Sequence, residues 1–485
     1  MYYQPDIETM SREDLEALQL ERLQALVKRV YQKIPFYKES FDKAGINPED
    51  IKSLADLTKL PFTVKQDMRD AYPFGLFAVP RKDVVRVHCS SGTTGTATVV
   101  GYTQKDLENW GDCFARALYG AGCGPDSTLQ IAYGYGLFTG GLGAHNGGER
   151  AGCTVLPMST GNTKRQVRLM KDFDVDCLCC TPSYALNIAE VAQEEGYDIH
   201  EFPIHAGILG AEPCSEATRA EIEHKMGIQV YDIYGLSEVM GPGVACECEK
   251  QHGLHVCEDQ FIIEILDPKT LQPVPDGEWG EVVFTTLCKE CSPLVRYRTR
   301  DISRILVGEC ECGRTFRRMD RIAGRTDDMM ILRGVNVFPS QIEEEIVSFP
   351  EIAPQYQLIL TTKGTLDRAE LRVETVPEFP FDEIRRLEKL KKDLQKALKE
   401  NLQIAVDVKI VEPKTIERAE GKAKRIIDMR ENLHYFWKTK KAAWQAPFAP
   451  FPMPALTCKH YSWRILPILA SFASSAIPPR KLVRH

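Results

Sequence analysis

The sequence lacks any apolar run of membrane-spanning length, and its first residues have neither the basic segment nor the apolar segment of a signal peptide. We therefore expect a cytoplasmic protein with no membrane partner. The net charge of −7 lacks the basic excess that attracts nucleic acids, so no nucleic-acid partner is expected. In such a compartment the 16 cysteines should be reduced thiols, of which some are available to bind a metal.

Internal repeats are also absent, and a chain of 485 residues usually divides into two or more domains. Strand-like and helix-like patterns alternate in its first half, which predicts an α/β fold of parallel sheets flanked by helices. The strand candidates are Thr128–Ala132, Val175–Thr181, His205–Leu209 and Gln229–Tyr234. Helical periodicity also predicts a helix over residues 11–45.

Between residues 254 and 306 the pattern changes to short strands joined by proline, glycine and aspartate turns, which predicts a β-subdomain. Its strand candidates are Phe261–Leu266, Gly280–Thr285 and Leu294–Arg298. We expect one large N-terminal domain over residues 1–325 and a smaller α/β domain over residues 326–431. Residues 432–485 are basic and rich in proline, and no periodicity assigns this tail to a core.

A loop of hydroxyl and glycine residues, Ser90–Gly95, lies between two β-rich runs. Glycines allow backbone N–H groups to turn toward an anion, and hydroxyl groups add further donors, so the loop suits a polyphosphate. It is not a Walker loop, because no Gly-Lys-Ser/Thr follows and the next element is predicted to be a strand. Taken alone, the loop is equally compatible with an ordinary turn.

This loop and seven later segments together resemble the acyl-adenylate-forming ligases, in the phenylacetate–CoA ligase branch. The eight segments follow the family's order and span the chain to about residue 431. They are Ser90–Gly95, Tyr133–Gly141, Gly210–Pro213, Tyr231–Glu238, Tyr297–Asp301, Gly324–Asp328, Arg333–Pro339 and Gly421–Arg425. Each motif is weak alone, whereas the ordered set is specific.

The resemblance implies an ATP-dependent ligase that activates phenylacetate, or a related aryl acid, as an acyl-AMP with release of pyrophosphate. Coenzyme A then takes the acyl group and AMP leaves. Two alternatives within the class are a ligase for another acid and an adenylylating enzyme similar to the coenzyme F390 synthetases. A third alternative is a catalytically impaired nucleotide-binding relative. The resemblance is compatible with a homodimer.

The same resemblance implies roles for individual residues. Lys422 would be the catalytic lysine of the first step, and Glu238 would bind Mg²⁺ together with Thr94. Asp327 would be the hinge about which a mobile C-terminal domain turns, and Gly334 would line the path of coenzyme A. The remaining ATP- and AMP-binding residues would be Ser90, Ser91, Gly92, Thr93, Gly95, Ala211, Glu212, Pro213, Asp232, Ile233, Tyr234, Gly235, Ser237, Asp301 and Arg325. The aryl acid pocket would consist of Tyr133, Phe138, Gly210 and Ala211.

Three cysteines and one histidine offer the ligand set of a structural zinc ion: Cys248, His255, Cys310 and Cys312. Some members of the branch carry such a site at matching positions. The two pairs of ligands are distant in sequence, so Cys246, Cys257, Cys288 and Cys291 remain rival ligands. The chain also departs from the family's glycine loop, because Thr96 stands where a lysine is usual.

Overall fold

The computed structural model describes residues 1–430 except 91–96, 327–329, 333–334, 364–365, 403, 405, 419–422 and 424. The predictions for residues 432–485 therefore lie outside the described part of the chain. The described helices are α1 (Pro5–Glu8), α2 (Arg12–Lys33), α3 (Pro35–Ala44), α4 (Lys65–Asp70), α5 (Gln104–Gly120), α6 (Thr139–Ala151), α7 (Thr163–Asp172), α8 (Pro182–Glu194), α9 (Glu216–Met226), α10 (Pro339–Val347) and α11 (Ile384–Asn401).

The strands of the first half are β1 (Arg86–Cys89), β2 (Val99–Tyr102), β3 (Thr128–Ile131), β4 (Thr154–Pro157), β5 (Cys177–Cys180), β6 (Ala206–Gly210), β7 (Gln229–Leu236), β8 (Gly241–Cys246) and β9 (Leu254–Val256). Those of the second half are β10 (Phe261–Leu266), β11 (Gly280–Thr286), β12 (Tyr297–Ser303), β13 (Ile305–Leu306), β14 (Arg318–Met319), β15 (Gly324–Arg325), β16 (Met330–Leu332), β17 (Val335–Val337), β18 (Ile352–Lys363), β19 (Leu366–Thr375), β20 (Asp407–Val411) and β21 (Ile426–Asp428).

A mixed sheet of nine strands, in the order β13-β14-β9-β8-β7-β6-β5-β3-β4, forms the centre of the first half. Its strands β7, β6, β5, β3 and β4 are parallel, as the alternating sequence pattern predicts. Successive residues of β5 enter different cores. Leu178 packs with α7, α8 and α9, whereas Cys177 and Cys179 pack with α5 and α6. Helices therefore cover both faces of the sheet, and the predicted fold class is confirmed.

The β-subdomain is an antiparallel sheet in the order β10-β11-β12-β15. The strand predicted over Leu294–Arg298 is wrong in its bounds, because β12 begins only at Tyr297 and continues to Ser303. Arg296 has a φ of 45°, a left-handed conformation that is incompatible with a regular strand at that residue. Hydrogen bonds from Arg296 to Glu264 and to two loop carbonyls hold it there.

The helix predicted over residues 11–45 is divided into α2 and α3. Ile34 adopts an extended conformation between them, and Pro35 occupies the first position of α3, where its missing N–H group leaves no partner unsatisfied. The glycine-rich segment after β3 contains α6, which the sequence pattern does not predict. A Cβ atom at Gly143 would lie 2.3 Å from the Trp110 ring, so α6 needs small residues to pack against α5.

Beyond residue 330, a separate core is formed by apolar residues of α10, α11 and the sheet β20-β19-β18-β21. The apolar face of α11 is directed at this core, where Leu390, Leu394 and Leu398 are buried. A membrane-spanning helix, long and apolar enough to cross a bilayer, does not occur among the residues that the structure describes.

Candidate functional site

The strands β1 and β2 pair in an antiparallel hairpin, and the glycine loop lies between them. Ser90 donates its N–H to the Thr98 carbonyl at 3.0 Å, and the Thr98 hydroxyl donates to Ser90 Oγ at 2.8 Å. These bonds close the base of the loop. The other predicted loop residues, Ser91, Gly92, Thr93, Thr94 and Gly95, lie outside the described residues.

Glu238 lies two residues beyond the end of β7, with 7% of its side chain exposed. Its carboxylate Oε1 is 3.3 Å from the Thr98 hydroxyl and 3.1 Å from Lys65 Nζ. The predicted magnesium ligand is therefore placed at the base of the glycine loop. Its carboxylate oxygens and the adjacent hydroxyl are ligands of the type that Mg²⁺ prefers.

Two lysines near Glu238 were not predicted from the sequence. Lys65 begins α4, about 170 residues before Glu238, so no local pattern connects them. Lys289 is fully buried, and its ammonium donates to the carbonyls of Glu238 at 3.4 Å and Val239 at 2.8 Å. Burial lowers the pKa of Lys289 to about 8. In the sequence it stands in Cys288-Lys289-Glu290-Cys291, a stretch with no pattern that points to Glu238.

Asp301 on β12 is buried and lies between two side chains that the sequence also predicts for the site. Tyr234 donates its hydroxyl to Asp301 Oδ2 at 2.6 Å, and Arg325 Nη1 donates to Asp301 Oδ1 at 2.7 Å. Asp301 and Arg325 face each other in the register of β12 and β15. Burial and the Asp301 carboxylate raise the pKa of Tyr234, which keeps its hydroxyl protonated as a donor.

The segment Gly210–Pro213 follows β6. A Cβ atom at Gly210 would lie 2.3 Å from the Ile233 carbonyl oxygen, so only glycine fits there. Ala211 has a φ of 68°, a strained conformation for alanine that is typical of functional sites. Glu212 accepts hydrogen bonds from Ser183 Oγ at 2.6 Å and from the N–H of Ala423. Its carboxylate thus connects the start of α8 to the segment that follows Lys422.

Four more predicted nucleotide-binding residues lie on or directly after β7. Ile233 is buried in the sheet, and a Cβ atom at Gly235 would lie 1.8 Å from the Gly241 carbonyl oxygen. Ser237 Oγ is 2.9 Å from Thr139 Oγ1 at the start of α6. Burial and the nearby Glu247 carboxylate raise the pKa of Asp232 to about 7.

Of the predicted acid-pocket residues, Tyr133 lies just after β3, and Gly210 and Ala211 lie at the end of β6. The Tyr133 hydroxyl donates to the Ile208 carbonyl at 3.5 Å, which brings the phenol ring to the end of β6 beside Gly210. Phe138, directly before α6, is 52% exposed. The neighbouring Leu137 carbonyl accepts from the Cys89 N–H at 3.0 Å, which connects this segment to the glycine-loop hairpin.

Three predicted residues of the second half, Asp327, Gly334 and Lys422, lie outside the described residues. Ala423 is described, and its bond to Glu212 is one of several contacts between the two halves of the chain. Arg418 Nε is 3.1 Å from Glu190 Oε2 on α8, and Thr218 on α9 donates to Glu343 on α10 at 3.2 Å.

The predicted metal ligands Cys248, His255, Cys310 and Cys312 converge in one buried group, whose potential ligand atoms lie within 4.8 Å of one another. Cys248 Sγ is 3.8 Å from Cys310 Sγ, which matches the edge of a zinc tetrahedron with bonds of about 2.3 Å. His255 Nδ1 is 3.2 Å from the Phe316 carbonyl, so Nε2 is the atom that faces Cys312 at 3.4 Å. Among the described residues, none of the four rival cysteines belongs to this group.

The contacts within this group favour the charged forms of Cys312 and His255. Hydrogen bonds with Cys248 and His255 together lower the pKa of Cys312 to about 2, although burial alone would raise it. For His255, burial favours the neutral ring, but the Cys310 and Cys312 thiolates raise its pKa to about 9. A divalent cation would replace the proton on His255 and neutralise the thiolates.

Two family descriptions match the chain. "AMP-binding enzyme" matches residues 10–287, and "AMP-binding enzyme C-terminal domain" matches residues 334–430. The "Phenylacetate-coenzyme A ligase" of Escherichia coli (strain K12) is 51% identical over 426 residues, which cover 87% of this chain and 97% of that protein. The protein of the same name from Thermus thermophilus is 48% identical over 446 residues, which cover 89% of this chain and 100% of that protein.

A solved 2-hydroxyisobutyryl-CoA ligase resembles the whole described fold. Its structure in the postadenylation state, with R3-HIB-AMP, gives a TM-score of 0.83 at 28% identity and covers 91% of this chain and 95% of that chain. Its structure with 2-HIB-AMP and CoA in the thioesterification state gives a TM-score of 0.66 at 29% identity with the same coverage. The described fold is therefore more similar to the first of these two structures than to the second.

The raised pKa of Asp232 predicts a pH-dependent contribution to stability. As the pH falls from 8 to 5, native Asp232 gains a proton near pH 7 while the unfolded chain remains ionised, so the lower pH stabilises the wild type. Replacement by a non-titrating asparagine should remove this effect. The free energy of unfolding of Asp232→Asn, measured relative to wild type, should therefore be higher at pH 8 than at pH 5. We expect a difference on the order of 2 kcal/mol.

Urea unfolding at the two pH values measures this difference, and the exposed Asp126→Asn provides the control. A stability difference between wild type and Asp232→Asn that is the same at both pH values would show that Asp232 keeps an ordinary pKa.

Proposed function

Because the chain belongs to the phenylacetate-coenzyme A ligases of the AMP-binding enzyme family, we propose that it activates phenylacetate, or a related aryl acid, for transfer to coenzyme A. In the first step a carboxylate oxygen attacks the α-phosphorus of ATP, and the bond to the β-phosphate breaks with release of pyrophosphate. In the second step the coenzyme A thiol attacks the acyl carbon of the acyl-AMP. A thioester forms, and AMP and a proton leave.

The observation that carries this proposal is the position of Tyr234 and Glu238 around the end of β7. Tyr234 contacts Asp301, the carboxylate that would accept from the two ribose hydroxyls of a nucleotide. Glu238, four residues later, contacts the base of the glycine loop through Thr98. One short segment thus joins a ribose-binding carboxylate to a polyphosphate-binding loop, as a single bound ATP requires.

Glu238 is the proposed magnesium ligand. Its buried carboxylate and the adjacent Thr98 hydroxyl fit a hard cation, which would neutralise charge on the phosphates. Lys289 donates to the consecutive backbone carbonyls of Glu238 and Val239, which fixes the backbone that carries the Glu238 side chain. The segment after Gly210 would frame the adenine, and the left-handed Ala211 and the lack of space for a side chain at Gly210 support a fixed backbone there.

The two proposed domains, residues 1–325 and 326–431, would alternate between two arrangements about Asp327. The separate core beyond residue 330 supports this division. The Arg418–Glu190, Thr218–Glu343 and Ala423–Glu212 contacts, together with the higher similarity to the postadenylation structure, support assignment of the described arrangement to the first step. A hinge transition would then bring Gly334 to the coenzyme A path.

The zinc site is also a proposal. The cluster of Cys248, His255, Cys310 and Cys312 provides four protein ligands, which is typical of a closed structural site rather than a catalytic one. The ion would join the turn after β8 to the turn between β13 and β14. A cytoplasmic location remains a prediction. The free thiols of the described cysteines are compatible with it.

The substrate proposal predicts ATP-dependent pyrophosphate release with phenylacetate, and thioester formation only when coenzyme A is added. The assay compares a panel of aryl and aliphatic acids with a deazaflavin, each with and without coenzyme A. Release with another acid alone would assign a different ligase, and release with the deazaflavin alone would assign an adenylylating enzyme. ATP binding without any release would indicate the impaired relative.

The role proposed for Lys422 predicts that the two half-reactions respond differently to its removal. Lys422→Ala should lower the rate of pyrophosphate release by roughly two to three orders of magnitude, because a cation at the α-phosphate is lost. Thioester formation from supplied phenylacetyl-AMP should stay within about threefold of wild type. Lys424→Ala, in the same basic run, is the matched control. Equal loss of both half-reactions in Lys422→Ala would contradict the assignment.

The metal proposal predicts about one zinc ion per chain in the purified protein. Cys312→Ser should lose the ion and lower the melting temperature by several degrees, because a structural site contributes directly to folding. Elemental analysis and thermal unfolding measure the two effects, with Cys214→Ser as the cysteine control. Metal-free wild type, or a Cys312→Ser variant that retains zinc, would rule the site out.

A further inference from the structure

His88, on β1, is a fully buried histidine that does not belong to the predicted site. Its side chain is enclosed by two aromatic rings: the ring centroid of His88 lies 5.5 Å from that of Tyr102 and 5.8 Å from that of Trp110, nearly perpendicular to both. Tyr102 and Trp110 are themselves buried and stack on each other, with their centroids 5.1 Å apart. Because close packing surrounds the imidazole, its orientation is fixed.

The imidazole contacts the backbone directly in front of α6. His88 Nδ1 lies 3.1 Å from the Leu137 carbonyl oxygen, which also accepts from the Cys89 N–H at 3.0 Å. A carbonyl oxygen only accepts hydrogen bonds, so Nδ1 carries a proton and donates it. Burial lowers the pKa of His88, which favours the neutral ring with this one N–H group. Nε2 is buried and has no hydrogen-bond partner among the described residues, so the ring makes its polar contacts through Nδ1.

The backbone that His88 contacts carries two exposed apolar side chains. Leu137 is 63% exposed and Phe138 is 52% exposed, so burial contributes less than usual to their position. Gly136, directly before them, has a φ of 144°, a conformation that other residues rarely adopt and that glycine is free to leave. The position of Phe138 therefore depends largely on hydrogen bonds to the backbone, and the Leu137 carbonyl accepts two of them.

We infer that His88 is a positioning residue for the aryl acid: its Nδ1–H group holds the Leu137 carbonyl and thereby sets the place of the Phe138 ring in the acid pocket. This inference rests on the proposed function, which assigns Phe138 to that pocket. Contacts between aromatic rings depend on their separation and orientation, so a displaced Phe138 ring would bind an aryl acid less well. His88 should therefore determine the affinity for the acid rather than the affinity for ATP.

Loss of the Nδ1 donor should weaken binding of the acid. His88→Asn and His88→Leu introduce side chains of nearly equal shape, and only asparagine retains an N–H group near the place of Nδ1. We expect His88→Leu to raise the KM for phenylacetate roughly 3- to 10-fold in the pyrophosphate-release assay, from the loss of one hydrogen bond. His88→Asn should recover most of the affinity for phenylacetate, and the KM for ATP should stay within about twofold of wild type in both variants.

A double-mutant cycle measures whether His88 acts through Phe138. In a Phe138→Ala background, the further change His88→Leu should alter the KM for phenylacetate by less than about twofold, because the ring that His88 positions is absent. Val87→Ala, at an exposed position of the same strand, is the control for a disturbance of β1. His88→Gln repeats the comparison if His88→Leu does not fold, since its amide reaches the place of Nε2 instead of Nδ1, and the same rise in KM is expected.

An equal rise in the KM for phenylacetate and for ATP would assign His88 a structural role in β1 and overturn the inference. Equal KM values for phenylacetate in His88→Asn and His88→Leu would also overturn it, as would an effect of His88→Leu that persists in the Phe138→Ala background. If wild type released pyrophosphate with no acid, both this inference and the proposed function would fail. Normal release by wild type, with an unchanged KM for phenylacetate in His88→Leu, would remove only the inference.

Discussion

A carboxylate that is removed from water needs hydrogen bonds or an opposite charge as compensation. Glu238 is such a carboxylate, and the partners that compensate it define the candidate site. Its side chain is buried beside Thr98 and the ammonium of Lys65, and Lys289 holds the backbone on which it stands. The four residues come from widely separated parts of the sequence. The helix α4, the β1–β2 hairpin, the end of β7 and the segment after β11 must all be in place before the carboxylate can be buried.

Much of the parallel core follows from local sequence patterns, because each buried strand is a short apolar run, and α5, α8 and α9 begin at the capping residues Thr103, Thr181 and Ser215. Local sequence patterns mispredict those elements whose conformation depends on tertiary packing. The glycines of α6 disfavour a helix locally, yet Trp110 leaves no space for a side chain at Gly143. The left-handed Arg296 delays the start of β12, and its reason is a set of bonds to residues more than 30 positions earlier.

The candidate site shows the same division. Asp301, Tyr234 and Glu238 are recognisable from motifs that have a fixed order along the chain, and the structure brings Tyr234 and Asp301 into contact. The choice among eight candidate metal ligands could not be made from spacing, since the two pairs of ligands are about 60 residues apart. The positions of Lys65 and Lys289, and the bond from Ser183 to Glu212, carry no local signal because they arise only from the packing of distant elements.

The account depends most on a single ATP molecule that contacts both Asp301 and the glycine-loop hairpin. The most direct measurement is a crystal structure of the protein with Mg²⁺ and a non-hydrolysable ATP analogue. The account predicts ribose hydroxyls at Asp301, the metal at Glu238 and the terminal phosphates beside Ser90. A nucleotide bound elsewhere, or a nucleotide that contacts Asp301 while its phosphates point away from Glu238, would contradict it.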